Sequence, residues 1–514
     1  MKLSTARKML GILSFAAITL TFLDFAGIFP QSFFLITKIQ LVPALLSGAF
    51  LTVGVLLLLT WIFGRIYCSV ICPLGVYQDL VAWIYKRFKP KRKFRFSPPK
   101  TSLRLAFLAL VVVGYFAGFT LLLNLFEPYS VYGRMTTHVA RPLYMAGNNL
   151  LAEIAHYFGS YTFYNVHVFT LSLFALAVSI LSLAAVSLLA TIGGRSWCNT
   201  VCPVGTVLGW ISKYSLFQIR FQADHCTHCN RCARDCKASC IDSKTMQVDT
   251  NRCVMCFNCL DACQEQALVY KIQRPERNAK KQTAKNDAES TKGMNRRDFL
   301  KTTGGVAGMI GVSALASAAP KQTKTPIYVK QHPISPPSAG STAALLDACT
   351  ACQLCITECP SNVLKPAFME YGMGGMMQPR MDFNKGYCNY DCTRCTEVCP
   401  TGALKPLTTE QKHRTQMGHV VFIKTSCVVY TDETSCGACS EHCPTQAVKM
   451  VPYKNGLTIP EVEPDICVGC GGCEYICPVR PLTAIYVEGN PVHLEAQAFE
   501  TAKKEHVELD GFGF

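Results

Sequence analysis

The chain has 514 residues, of which 50% are hydrophobic and only 16% charged, and it carries 29 cysteines and a formal net charge of +16. A charged share so far below the roughly 25% of soluble proteins excludes an ordinary soluble domain, and cysteines gathered in C-x2-C and C-x3-C groups exclude a disulfide framework, whose partners are spread out. Nucleic acid is excluded as the reason for the positive charge: many Lys and Arg flank apolar runs as topology signals, and each thiolate-bound 4Fe–4S centre adds about −2.

Four apolar runs come first: Met9–Phe29, Leu41–Phe63, Leu103–Phe126 and Val166–Ile192, each of 20 or more residues and so able to cross a bilayer as a helix. The loop after the second run holds YKRFKPKRKFRF, whereas the loop from Glu127 to Asn165 has only Arg134 and Arg141. The positive-inside bias places the N-terminus, the 64–102 loop and the residues after Ile192 in the cytoplasm. The second and fourth runs end alike, in GRIYCSVICPLG (64–75) and GRSWCNTVCPVG (194–205). The expectation for 1–215 is therefore a membrane all-α four-helix bundle made of a duplicated two-span unit. Cys68 and Cys72 share one face of a helical turn, as do Cys198 and Cys202, and packing the halves about a pseudo-twofold axis brings four thiols together. Inert core thiols, a redox dithiol pair and a metal or Fe–S centre all remain open for them.

Residues 216–273 read as a cytoplasmic α+β ferredoxin with two C-x2-C-x2-C-x3-C runs, in which the fourth Cys serves the other cluster. One 4Fe–4S cluster takes Cys226, Cys229, Cys232 and Cys263; the other takes Cys253, Cys256, Cys259 and Cys236. Lys237 and Gln264 stand where proline usually follows the fourth Cys. A ninth cysteine, Cys240, occupies the position of Ala267 in the second run and reads as a spare, with exchange for Cys236 open.

Residues 274–293 are a charged flexible linker. MNRRDFLKTTGGVAGMIGVSALASAAP follows (294–320), an internal twin-arginine export signal or N-in/C-out anchor helix. Residues 321–514 then carry four further groups, Cys349/Cys352/Cys355/Cys359, Cys388/Cys392/Cys395/Cys399, Cys427/Cys436/Cys439/Cys443 and Cys467/Cys470/Cys473/Cys477, each fourth Cys preceding a proline. They predict a periplasmic four-cluster ferredoxin, hence six 4Fe–4S clusters in all, with one further metal or Fe–S centre open at the membrane thiols.

These motifs resemble the ferredoxin-type subunits of periplasmic nitrate reductase systems: residues 1–270 are similar to NapH, with four spans and paired C-x3-C-P motifs, and 294–514 to NapG. The same membrane motif occurs in NosR and CcoG-type proteins. The resemblance implies an electron-transfer component of a quinol dehydrogenase in the bacterial inner membrane. Quinol would be the donor and a periplasmic oxidoreductase or multihaem cytochrome the acceptor. A cytoplasmic electron donor feeding the chain outward is an alternative, and a metal- or thiol-reducing maturation factor another. The resemblance also implies that the first C-terminal motif pairs with the fourth and the second with the third, so that Cys349, Cys352, Cys355 and Cys477 form one centre and Cys467, Cys470, Cys473 and Cys359 the next. Cys388, Cys392, Cys395 and Cys443 would form the third, and Cys427, Cys436, Cys439 and Cys399 the fourth.

The sequence contains no C-x-x-C-H haem motif and no dinucleotide fingerprint after a strand pattern. For a quinone site the polar candidates are Asp24 in the first span and Glu127, His138, Glu153, His156 and His167 in the outer loop, where Leu143, Leu150, Leu151, Ile154 and Phe158 fall at helical spacing. Each also reads as an ordinary interfacial residue, and no catalytic residue is assigned.

Overall fold

A computed structural model describes residues 2–89, 94–167, 172–272 and 330–497. The expected linker and twin-arginine segment lie outside the described residues. Residues up to Lys271 and from Lys330 onward form one compact unit; the other unit, Ile272–Val329, is described only at its first residue.

Two helices, Leu3–Leu23 and Leu173–Gly193, have 21 residues each, and at 1.5 Å per residue they match a hydrocarbon core of about 30 Å. The other two expected spans are interrupted. Residues 41–63 form Leu41–Leu46 and Phe50–Phe63, separated at Gly48 (φ 73°). Residues 103–126 fall within Thr101–Phe116 and Thr120–Phe126, separated at Gly118 (φ 78°). Both glycines take the left-handed angle that a side chain resists, so each ends one helix and re-aims the next. The expected first span also stops short, at Leu23, because the Asp24 carboxylate accepts from the amides of Ile28 and Phe29, both at 3.0 Å. A turn is what this acid specifies. The 127–165 segment holds the helices Pro128–Met135 and Arg141–Tyr157; on the second, Leu143, Leu150, Leu151 and Ile154 are exposed.

Each motif cysteine pair sits at a helix junction rather than within one helix. Cys68 lies in Tyr67–Val70 and Cys72 caps Pro73–Phe88; Cys198 lies in Ser196–Thr200 and Cys202 caps Pro203–Ser212. Pro73 and Pro203 are first residues of the new helices, the position where a missing N–H costs nothing.

The two ferredoxin regions are built from short two-stranded sheets. In the N-terminal one Phe217–Phe221 lies beside Leu268–Ile272, and Ile241–Asp242 pairs antiparallel with Gln247–Val248. In the C-terminal one Thr415–Phe422 pairs with Ile485–Glu495 and Val448–Pro452 with Thr458–Val462, all antiparallel. The cysteines themselves form much of both cores.

The two ferredoxins dock at opposite ends of the helices. The N-terminal one meets the ends carrying the cysteine motifs, through Leu216 N to Trp61 O (2.9 Å), Phe94 N to Arg234 O (3.3 Å) and the Tyr270 hydroxyl to Phe63 O (3.2 Å). The C-terminal one meets the other ends: Thr120 Oγ1 donates to Gly374 O (3.0 Å) and Arg394 to Phe29 O (3.4 Å), with Arg394 also over the Phe34 ring.

Candidate functional site: a buried four-thiol centre between two ferredoxins

In the N-terminal ferredoxin the thiols gather as the spacing predicts. Cys232 faces Cys226, Cys229 and Cys263, and Cys259 faces Cys253, Cys256 and Cys236. Burial, with the three thiols around it, pushes Cys232 up to about 11. Such a set is held as thiolates by a cation, which iron supplies.

In the C-terminal ferredoxin the expected partnership is overturned. Cys349, Cys352 and Cys355 line one cavity with Cys399, not Cys477. Cys388 and Cys395 face Cys359, not Cys443. Cys467, Cys470 and Cys473 face Cys443, not Cys359, and Cys427 faces Cys436 and Cys477, not Cys399. The first motif therefore exchanges its fourth cysteine with the second, and the third with the fourth. The physical reason is helix packing: Leu354–Thr357 packs on Arg394–Val398, and Ala438–Glu441 on Gly472–Ile476.

The loops fit a cubane better than a single ion. In four of the six groups the same two positions, immediately before and after the second cysteine, have positive φ: His228 and Asn230, Met255 and Phe257, Ala351 and Gln353, Gly469 and Gly471. This curls the chain into a nest whose amides face the sulfurs. Ala267 N donates to Cys263 Sγ (3.2 Å), Ala351 N to Cys349 Sγ (3.4 Å), Leu404 N to Cys399 Sγ (3.4 Å) and Gly469 N to Cys467 Sγ (3.4 Å). Among the described residues no three His, Cys, Asp or Glu side chains converge closely enough for one ion.

Between the ferredoxins, Cys68, Cys72, Cys198 and Cys202 come together, each 3% exposed. The arginine of each G-R pair crosses to the other repeat: Arg65 Nη2 donates to Cys198 O (3.3 Å) and Arg195 Nη1 to Cys68 O (2.6 Å). Gly75 and Gly205 leave room for the crossing, since a Cβ on either would strike the carbonyl of Cys68 or Cys198 and the guanidinium beside it. Donors also reach the sulfurs: Gln78 Nε2 to Cys198 (3.2 Å), Gly205 N to Cys202 (3.3 Å) and Arg65 Nη2 towards Cys68 (3.8 Å).

The counter-charges of the two arginines differ. Arg195 pairs with Asp79 (2.8 Å), which also holds Arg7 (2.9 Å) and Lys237 (3.3 Å). The residue matching Asp79 in the second repeat is Gly209, and Arg65 bonds instead to Asn199 Oδ1 (2.8 Å) and Asn251 O (3.1 Å). Arg65 is fully buried, its Nε and the Nη2 of Arg195 have no protein partner, and the thiols are the anionic groups that face it. A buried guanidinium without a carboxylate calls for an anion. Thiolates bound to a metal centre supply one.

Both ferredoxins reach this helical unit through cluster loops. At the inner seam, the end that carries the cysteine motifs, Lys237 O, one residue beyond Cys236, accepts from Arg195 N (2.9 Å), and Ala238 O accepts from Asn199 (3.3 Å). At the outer seam, the opposite end of the helices, the Cys352 carbonyl lies against Gly133, Arg134 donates to Ala351 O (3.4 Å), His138 Nε2 donates to Gln353 Oε1 (2.6 Å), and Arg141 donates to Thr357 O.

A 4Fe-4S binding domain matches residues 46–95 and 174–222, the two halves that carry these four thiols. A 4Fe-4S dicluster domain matches 346–403 and 434–480; the first match contains one of the motif pairs that the structure joins, and the second contains the other pair apart from Cys427. The methylamine utilization ferredoxin-type protein MauM of Methylobacillus flagellatus is 31% identical over 179 residues, 34% of this chain and 72% of MauM. The ferredoxin-type protein NapG of Escherichia coli K12 is 30% identical over 191 residues, 35% of this chain and 78% of NapG. The chain belongs to the NapG and MauM family of ferredoxin-type proteins. The putative electron transport protein YccM of the same strain is 23% identical over 266 residues, half of this chain and 65% of YccM. No solved structure matches. As a ferredoxin-type protein, the chain is a multi-cluster iron–sulfur electron-transfer protein.

The polar quinone candidates separate. Asp24 caps a turn, Glu127 accepts from Ser130 N at a helix start, and His138 joins the outer seam. Glu153, His156 and His167 are exposed. Sequence reasoning missed Arg65, Arg195, Asp79, Gln78 and Lys237. The two arginines were visible in the repeated G-R dipeptide, and Lys237 in the missing proline.

Proposed function

We propose that this protein is a membrane-embedded electron conduit that oxidises quinol and delivers the electrons through the C-terminal clusters to a periplasmic oxidoreductase or multihaem cytochrome. One observation carries the reading: cluster loops of the two ferredoxins bond to opposite ends of one helical unit, and the N-terminal loop bonds to Arg195 and Asn199, the residues that flank the buried four-thiol centre. Membrane embedding is supported by how little of the two long apolar helices is covered, 28% and 22% of their apolar windows. In this reading residues 1–270 do the work of a NapH-like subunit, and the internal twin-arginine segment carries 321–514 across the bilayer. The four-thiol set would hold a seventh centre linking the two sides.

Quinol has a place to reach this relay. A cleft of about 1350 Å³ is lined by Leu103 and Ile192 at helix ends, by Lys100 and Arg252, and by Asn199, the neighbour of Cys198. An amphipathic ring with an apolar tail suits that lining.

The test is anaerobic: menaquinol analogue is added to purified protein in lipid and the 4Fe–4S absorbance is followed. Bleaching is expected, and Ile192→Trp should block it while leaving dithionite reduction intact. The direct bond from the Cys236 loop to Arg195 favours a second reading, a cytoplasmic donor. Bleaching by reduced flavodoxin and not by menaquinol would establish that one instead.

A further inference from the structure

The N-terminal ferredoxin places five thiols, not four, around its second cluster position. Cys236, Cys253, Cys256 and Cys259 line one small cavity together with Cys240, otherwise walled by Ile219, Ile241, Val254 and Phe257. Cys240 is 1% exposed, its Sγ is 3.6 Å from Cys236 Sγ, and it lies within hydrogen-bonding reach of Cys253.

The other half of the same ferredoxin shows what this position does without a thiol. There the fourth cysteine is Cys263, Gln266 turns the chain (φ 52°), and the residue four beyond the cysteine, Ala267, packs at 2% exposure with its amide on Cys263 Sγ. The first half repeats the turn, with Ser239 at φ 51°. A methyl group satisfies the packing there, so a sulfur in its place is more than filler. Its nearest polar neighbours are two cluster thiols, and a thiol there is either a ligand or an S–H donor to one.

We propose that Cys236 and Cys240 are interchangeable ligands of the same iron, the unbound one donating its S–H to the sulfur of the bound one. The exchange is neutral: the Cys236–iron bond breaks, the Cys240–iron bond forms, and the Cys240 proton passes to Cys236. No electron is gained or lost. The cluster then has two states that differ in which sulfur is bound: Cys236 Sγ also accepts from the amides of Ala238, Cys240 and Ile241, bonds that leave the iron-bound sulfur when Cys240 takes its place, and such bonds set cluster potentials. The inference is independent of donor, acceptor and membrane.

The experiment uses the full-length protein, purified anaerobically, with iron and sulfide analysis and electron paramagnetic resonance of the reduced clusters. Cys236→Ala should keep full iron with an altered spectrum, whereas Cys236→Ala/Cys240→Ala should lose roughly 4 irons per chain, as Cys256→Ala should. Cys240→Ala alone should keep its iron while the midpoint of one cluster moves to more negative potential, because a donor to its sulfur is lost. The remaining clusters report whether each variant has folded. If Cys236→Ala loses as much iron as Cys256→Ala, or Cys240→Ala leaves both spectrum and midpoint unchanged, the proposal fails and Cys240 is packing.

Discussion

The two seams that join ferredoxin to helices solve one problem in opposite ways. The inner seam is ionic: Asp79 gathers Arg7, Arg195 and Lys237, and the backbone after Cys236 bonds to Arg195. The outer seam relies on steric fit and on donors to uncharged oxygens: Gly133 admits the Cys352 carbonyl, and Arg134, His138 and Arg141 reach backbone or amide oxygens. The difference shows in the residue after the fourth cysteine. All four C-terminal groups carry the rigid proline, whereas the inner loop has Lys237, whose side chain docks the domain. A departure from the ferredoxin pattern is here a binding device.

The contrast is broken most forcefully at Asp79. Asp79→Asn leaves three buried or half-buried cations without their shared acid, a loss of about 3–5 kcal/mol. Thermal unfolding in detergent should show the drop, together with loss of iron from the N-terminal clusters and not from the C-terminal ones. An unchanged melting temperature would mean that the inner seam does not hold by charge.

The outer seam is tested at Gly133. In Gly133→Val the new Cβ would lie 2.5 Å from Cys352 O and 2.9 Å from the Phe22 ring, so the seam must open. The overpacking costs about 1–3 kcal/mol. Iron content should stay full while reoxidation of the C-terminal clusters continues and their reduction through the helical unit slows. Equal reduction rates in stopped flow would show that the outer contact is not on the electron path.

An effect confined to acid pH lies away from both seams and serves as their control. Burial pushes His493 down to about 4, and its Nε2 is 2.8 Å from Ser335 Oγ. The unfolded chain takes up this proton near 6.5 and the folded one only near 4, so the stability contribution is complete above pH 6.5 and lost as pH falls through that window. Relative to His493→Gln, the protein should lose about 2 kcal/mol between pH 6.5 and 4, allowing for partial exposure. Parallel melting curves for the two over that range would contradict a neutral His493.

Legibility followed spacing. In the N-terminal ferredoxin the grouping of the thiols could be read directly, because two runs allow only one exchange of fourth cysteines. With four runs, several exchanges have identical spacing, and only the packing of Leu354–Thr357 on Arg394–Val398 selects among them. The C-x3-C-P repeat announced the four-thiol meeting but not the Arg65 and Arg195 crossing, since hydropathy treats a buried arginine as a loop residue. The continuous second and third spans were over-read because Gly48 and Gly118 look tolerable inside an apolar run, while their backbone angles end a helix.

The reciprocal arginines carry a consequence for how such a unit can arise and be divided. Each repeat leaves a cysteine carbonyl that only the other repeat's guanidinium fills, and each leaves a guanidinium with nowhere to go by itself. A single repeat expressed alone should therefore not persist as a monomer but pair with its own copy, face to face, as an isologous dimer does. Within one chain the two halves need not match: Asp79 in the first half stands opposite Gly209 in the second, so that one side meets a ferredoxin by charge and the other leaves its arginine to the four thiols.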